Sequence, residues 1–293
     1  MFDLRYHVAS LAAVFLALII GILVGVGISS RTDVDESERR VLEQRIARLQ
    51  QGNEDLSAEA DLLRRQREAA DEYIEATYAA LMNGRLRGTR VALLFIGQLD
   101  QDRIDAVAQT LEDASGPALV EVEALALPVE EREVANALEP QFSGLSIEEV
   151  GQRLGEELIE GGETPFWDAL VPVVASYHRG TPASESDAVV VSHTGIAPDA
   201  ATRQFVDGIY AGLAAGTVPV VGIEQTVERP SRIGIYKTNG ISSVDSVDTD
   251  VGKVALAVLL AGGEEGHYGL KRTADNGPLP PIEPLQLAPV AGG

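Results

Sequence analysis

The chain has 293 residues, with 45 acidic against 23 basic side chains, a formal net charge of -22 and no cysteine. A negative surplus of this size repels phosphate backbones, because nucleic-acid affinity is drawn from Lys and Arg that displace counterions, which argues against a DNA or RNA partner. Without cysteine there is no disulfide framework, no thiolate metal site and no cysteine nucleophile.

Residues 8–28 (VASLAAVFLALIIGILVGVGI) form an uncharged run long enough, at about 1.5 Å per residue, to cross a hydrocarbon core of roughly 30 Å. We read residues 1–30 as an amino-terminal tail and a transmembrane anchor in contact with membrane lipid. A cleaved signal peptide is the rival reading, with Gly27 and Ser29 small enough for a cleavage site, but signal cores run to about 7–15 residues and this one is longer. Arg5 before the span, set against Arg31, Asp33, Asp35 and Glu36 after it, favours a cytoplasmic amino terminus and an extracytoplasmic remainder. Gly21 and Gly25 make a small-xxx-small pair through which two spans can approach.

Residues 33–84 carry a heptad pattern. With Leu42 as a d position, steps of four and three reach Ile46, Leu49, Asn53, Leu56, Ala60, Leu63, Arg67, Ala70, Ile74, Thr77 and Leu81. Asn53 falls at an a position, where a buried amide costs stability but selects in-register parallel pairing. The expectation is a parallel homodimer or higher homo-oligomer held by Gly21, Gly25, Leu42, Ile46, Leu49, Asn53, Leu56 and Leu63, with some 40 helical residues reaching about 60 Å. The competing reading is a single amphipathic helix folded against the downstream domain, since Ala60, Arg67, Ala70 and Thr77 weaken the seam. Asn83 and Gly84 end the helix.

From residue 88 to 263 the texture is α/β. Apolar runs at 90–96, 118–122, 187–192, 218–223 and 232–236 read as strands buried on both faces, and helical segments at 101–114, 129–138, 147–160, 198–215 and 251–261 alternate with them. This predicts a Rossmann-like or flavodoxin-like, mostly parallel sheet. Residues 264–293, with Pro278, Pro280, Pro281, Pro284 and Pro289, read as a Pro-rich arm that packs extended or stays disordered.

Such sheets bind ligands at the carboxyl ends of their strands. Neither a P-loop, nor a G-x-G-x-x-G turn, nor a G-x-S-x-G elbow follows any strand. Ser192 and His193 are neighbours, but a triad is a matter of geometry and adjacent residues point apart, so His193 and Thr194 read as loop-shaping residues. Asp245, Asp248 and Asp250 lack the spacing of a calcium loop; Thr249 and Asp250 read as a helix cap with Asp245 and Asp248 bracing the turn. No enzyme site and no cofactor is predicted.

The opening MFDLRYHVASLAAVFLALIIGILVGVG, the helical coil after it, and SVDSVDTDVGKVALAVLLAGGEEGHYG before a Pro-rich end resemble the actinobacterial copper transporter MctB family. The residues that carry this are Leu4, Arg5, His7 and the span at one end, and Asp245, Asp248, Thr249, Gly252 and His267-Tyr268-Gly269 at the other; residues 129–180 match no motif of the family. The resemblance implies a cell-envelope membrane protein linked with copper homeostasis or efflux, and it transfers no catalytic or metal-binding residue.

The donor set sits poorly with copper(I), which prefers thiolate and thioether ligands: the chain has no cysteine and one internal methionine, Met82. His178 and His193 are the metal candidates if the loop between them folds back, against a structural role for each. A single uncharged span encloses no pore. Two functions remain: an envelope component that moves or excludes copper, or an adaptor that presents the α/β domain to a cell-envelope protein partner.

Overall fold

A computed structural model describes residues 4–29, 32–160, 164–180 and 186–282, with side chains described from His7 to Gly27 and again from Glu38 onward. The chain divides into two compact units, Met1–Asp71 and Glu72–Gly293.

The first unit is helical. Helix α1 (Leu4–Ser29) contains the uncharged stretch His7–Gly27, with a mean hydropathy of 2.8 and every described side chain exposed. A helix apolar all round has no polar face to turn to water and suits a bilayer. A Cβ built on Gly21 or Gly25 meets no heavy atom within 4 Å. Helix α2 (Thr32–Met82) contributes residues 32–71 to this unit. Its heptad residues Leu42, Ile46, Leu49, Leu56 and Leu63 lie in the open, Leu49 at 73% and Leu56 at 67% exposure, and Asn53 is exposed among them.

In the second unit the last turns of α2 pack on an α/β/α sandwich. Tyr78 donates to Asp113 at 2.6 Å, Met82 is fully buried, and Gly84 stops the helix with a φ of 79°. The strands are β1 (Val91–Ile96), β2 (Glu121–Leu125), β3 (Ala175–Gly180), β4 (Ala188–His193), β5 (Val220–Ile223), β6 (Ser242–Val244) and β7 (His267–Tyr268), in the order β3-β2-β1-β4-β5-β6-β7. All pairs are parallel except β2 with β3. The order is that of doubly wound dinucleotide-type sheets with one edge strand reversed. The apolar runs of β1 and β4 are buried on both faces, as parallel strands between helix layers require.

Helices α3 (Gln101–Asp113) and α9 (Asp250–Leu260) cover one face. On the other lie α4 (Glu131–Leu138), α5 (Ile147–Glu160), α6 (Pro165–Val174), α7 (Ala200–Ala215) and α8 (Ile233–Thr238). Helices α5 and α7 approach to backbone contact through two glycine pairs, Gly151 and Gly155 against Gly208 and Gly212. A Cβ on Gly151 would stand 2.1 Å from the Phe205 carbonyl oxygen, and one on Gly208 2.1 Å from that of Glu148.

Several expected elements change on folding. Residues 232–236, read as a strand, fall in helix α8 with Arg232 as its N-cap, because Ile233 and Tyr236 bury one turn apart and the Tyr236 ring lies over Gly222, where a Cβ would meet it at 2.4 Å. The strand expected at 118–122 lies at Glu121–Leu125. Helix α6 and strand β3 fill part of the stretch that matched no motif. Pro172 offers no N–H to the helix, which stops at Val174 and passes straight into β3, so that Ala175 pairs with Leu125 and the strand runs back along β2. Of the tail, β7 extends the sheet and Leu279 and Ile282 return to the core; Pro284 and Pro289 lie outside the described residues.

Candidate functional site

The topological switch point lies between β1 and β4, where doubly wound sheets keep their ligand crevice. Here the chain fills it. Thr194 and Gly195 both donate backbone N–H groups to the Ile96 carbonyl, at 3.0 and 2.9 Å, and the Thr194 hydroxyl reaches the Gln98 carbonyl at 2.6 Å. Gly97, with a φ of 116°, leaves no room for a Cβ against the Gly195 backbone, 2.3 Å away. From α3, Arg103 reaches across and donates to the Ser192 hydroxyl and to Glu228, both at 2.7 Å. Lys271 pairs with the buried Glu224 at 2.8 Å, and Glu224 also accepts from the Arg232 N–H at 2.6 Å. Burial pushes the Glu228 carboxyl up and the Arg103 guanidinium pulls it back.

His193, at the end of β4, is 5% exposed. Its ring Nδ1 meets the Tyr210 hydroxyl at 2.8 Å, and its backbone N–H donates to the Tyr236 hydroxyl at 2.9 Å. Burial and the nearby Arg232 charge push its pKa down to about 4, which leaves a neutral, structurally committed imidazole. The aspartates serve as turn and cap: Asp245 accepts the Leu270 and Lys271 N–H groups, Asp248 holds Thr226, and the Thr249 hydroxyl caps α9 at Gly252. His178 and His193 do not converge. His178 lies on β3 and His193 on β4, with β2 and β1 between them, so three strand spacings, about 14 Å, separate their backbones.

His178 has other company. In the sequence Glu-Val-Glu-Ala-Leu of β2, alternation puts Val122 and Ala124 into one core and Glu121, Glu123 and Leu125 on the opposite face, against the α5/α6 layer. His178 sits directly opposite Glu123 in the register, and its Nδ1 contacts Glu123 Oε1. One ligand atom from each of Glu121, Glu123 and His178 lies within 4.8 Å of the others. Glu123 is 1% exposed, and its second oxygen, Oε2, is buried with no hydrogen-bond partner. Beside the cluster is a cavity of about 10 Å³ lined by Glu121, His178, Glu157, Thr164 and Trp167 among others.

Burial pushes both glutamates well above the usual carboxylate range, and at Glu121 the neighbouring Glu123 adds to the rise. Glu157 is engaged elsewhere, its carboxylate accepting the Phe166 and Trp167 N–H groups at the start of α6, at 3.1 and 2.8 Å. Sequence reasoning reached one member of the cluster, His178, and missed the two glutamates. Their signal is an acidic pair two residues apart beside strand formers, which becomes legible only once the strand is placed at 121–125.

Residues 1–139 match the model of the family described as "Copper transport outer membrane protein, MctB". Proteins named "Copper transporter MctB" from Mycobacterium bovis and from two strains of Mycobacterium tuberculosis are each 27% identical to this chain over a 314-residue alignment that takes in 92% of it and 96% of theirs. The chain is MctB-like. The MctB match runs from α1 through α4, and so includes Glu121 and Glu123, while His178 lies beyond it. The MctB likeness takes in the apolar His7–Gly27 helix, which is long and apolar enough to cross a membrane.

Proposed function

We propose that the chain is a single-pass envelope protein of copper homeostasis that works as a parallel dimer and without an enzyme site. The observation that carries this is the apolar stripe Leu42, Ile46, Leu49, Leu56 and Leu63, which stands exposed in the single chain at heptad spacing. An uncovered stripe of that length is stable only against a second helix, and a common membrane anchor brings two copies together in register. The names of the MctB relatives supply the metal. The filled switch-point crevice supports a non-enzymatic role, since the place where this sheet type keeps its substrate is occupied by Arg103, Thr194 and Gly195. A cytoplasmic amino terminus and an extracytoplasmic α/β unit complete the reading, with a cell-envelope protein as the partner of that unit.

A cysteine-free chain makes the pairing simple to test. Leu49→Cys on the seam should cross-link two copies in native membranes under mild oxidation, and Gln51→Cys, two residues round the helix, should not. Equal cross-linking of both, or of neither, rules out the parallel coil. For the copper role, deletion of the gene should change cellular copper content, and the full chain should restore it. Restoration by a chain whose span is replaced with an unrelated anchor excludes conduction through the span, whereas failure of the full chain to restore it removes copper from the proposal.

A further inference from the structure

The group Glu121, Glu123 and His178 has a different character from the rest of the domain. Along the carboxyl ends of β4 to β6 each charge meets an opposite charge or backbone N–H groups: Arg103 has Glu228, Lys271 has Glu224, and Asp245 has two backbone N–H groups, although the Nε atoms of Arg103 and Arg232 stay without a hydrogen-bond partner. On β2, Glu123 meets His178 through one oxygen only, and its other oxygen, Oε2, has no hydrogen-bond partner. Among the described residues neither Glu121 nor Glu123 forms an ion pair with lysine or arginine, although Glu123 lies in the interior. Leaving one oxygen of a buried carboxylate without a partner costs on the order of 1–3 kcal/mol, and native folds retain such a group where something else satisfies it. The two oxygens of Glu123 share a carbon and one of them contacts His178, so the orphan lies within the cluster itself. The adjoining cavity of about 10 Å³ has the size of a single water or ion.

We propose that Glu121, Glu123 and His178 bind one divalent transition-metal ion. At metal–ligand distances of about 2.1 Å, two ligands of one ion stand no more than about 4.2 Å apart, and the three ligand atoms lie within 4.8 Å of one another; His178 Nδ1 and Glu123 Oε1, which touch directly, part to admit the ion between them. One imidazole and two carboxylates, with no sulfur, suit Cu(II) or Zn(II) and disfavour Cu(I); among first-row divalent ions such a site holds Cu(II) tightest. Magnesium and calcium ask for more oxygens than the three side chains offer. The fold supplies the preorganisation: both glutamates are fixed by the same strand, and the β2–β3 register sets His178 opposite Glu123. The site is independent of the pairing of α2 and of the orientation of the anchor.

The test uses the purified full chain in detergent micelles, titrated with Cu(II) and separately with Zn(II) from a chelator buffer. Trp167, the only tryptophan, lines the cavity and reports from within it by fluorescence quenching. The expected result is one Cu(II) per chain, a paramagnetic spectrum with a single nitrogen ligand, quenching of Trp167, and weaker Zn(II) binding. His178→Ala and Glu123→Gln should each weaken binding beyond the roughly 10- to 100-fold that loss of a merely supporting residue costs. His7→Ala and His267→Ala should leave it unchanged. Should Glu123→Gln lose its fold, judged by Trp167 emission without metal, His178→Ala at the exposed edge and Glu121→Gln decide in its place. Stoichiometric Cu(II) that survives these substitutions places the metal elsewhere and overturns the proposal, as does the absence of stoichiometric binding.

Discussion

Gly208→Ala puts one methyl group where helices α5 and α7 touch. Its carbon would stand 2.1 Å from the Glu148 carbonyl oxygen and 2.9 Å from the Gln152 nitrogen, both backbone atoms with no rotamer through which to retreat. An ordinary carbon–oxygen contact begins at about 3.3 Å, so the helices must part locally by about 1 Å. A gap of that width forfeits a quarter to a half of the dispersion attraction across it. The side chains affected include Leu154, Phe205, Ile209 and Leu213, all buried in the same core. Overpacking costs about 1–3 kcal/mol where side chains can yield, and contact with backbone belongs at the upper end or beyond; alanine in a helix returns about 1 kcal/mol. The net expectation is a loss of about 2–3 kcal/mol, or roughly 5–10 °C in the midpoint for a unit of this size. Thermal unfolding of the full chain in micelles, followed by Trp167 fluorescence, measures it. Gly234→Ala is the control, since a Cβ there meets nothing within 4 Å, and it should melt within about 2 °C of the parent. A Gly208→Ala protein that melts with the parent would refute the close approach of α5 and α7.

Three further outcomes are expected. His193 is held neutral in the fold with its pKa down at about 4, so the unfolded chain takes up a proton between pH 6.5 and 4 that the folded chain refuses; this share of stability, about 3 kcal/mol, is present above pH 6.5 and lost as the pH falls toward 4. His193→Asn should therefore lose less stability over that interval than the parent in denaturant titrations, and equal losses would show that the imidazole is not kept neutral. Arg103→Met strips the partner from the mostly buried Glu228 and should destabilise by about 3 kcal/mol, with Glu228→Gln added to it recovering a large part; no recovery in the double variant would mean that the Ser192 contact, not the ion pair, carries the cost. Asn53→Leu should raise the melting temperature of the helical signal while the cross-linked species spread beyond a dimer, whereas a pure dimer of unchanged stability would place Asn53 off the seam.

What the sequence revealed depended on how far each element's pattern reaches. Helix α1 and strands β1, β4 and β5 are continuous apolar runs that composition alone reveals, and α5 and α7 repeat at helical spacing. Residues 232–236 misled because Arg-Ile-Gly-Ile-Tyr fits a short strand as well as a helix, and the arbiter is a tertiary contact, the seat of the Tyr236 ring on Gly222. Strand β3 carried no signal: Ala-Ser-Tyr-His-Arg-Gly is an exposed edge with no apolar face to show. The metal candidates failed as a pair for the same reason, since the distance from His178 to His193 is set by strand order, which neither residue encodes. The acidic pair on β2 was visible as letters, but its meaning rests on which face of the sheet is buried there.

Helix α6 runs into β3 with no loop between them, so the length of the helix sets the position of the strand. A connection with no spare residues fixes where the edge strand starts, with Trp167 near the beginning of the helix and His178 on the strand. The indole in the helix layer and the imidazole at the sheet margin are therefore held by one unbroken run of regular structure.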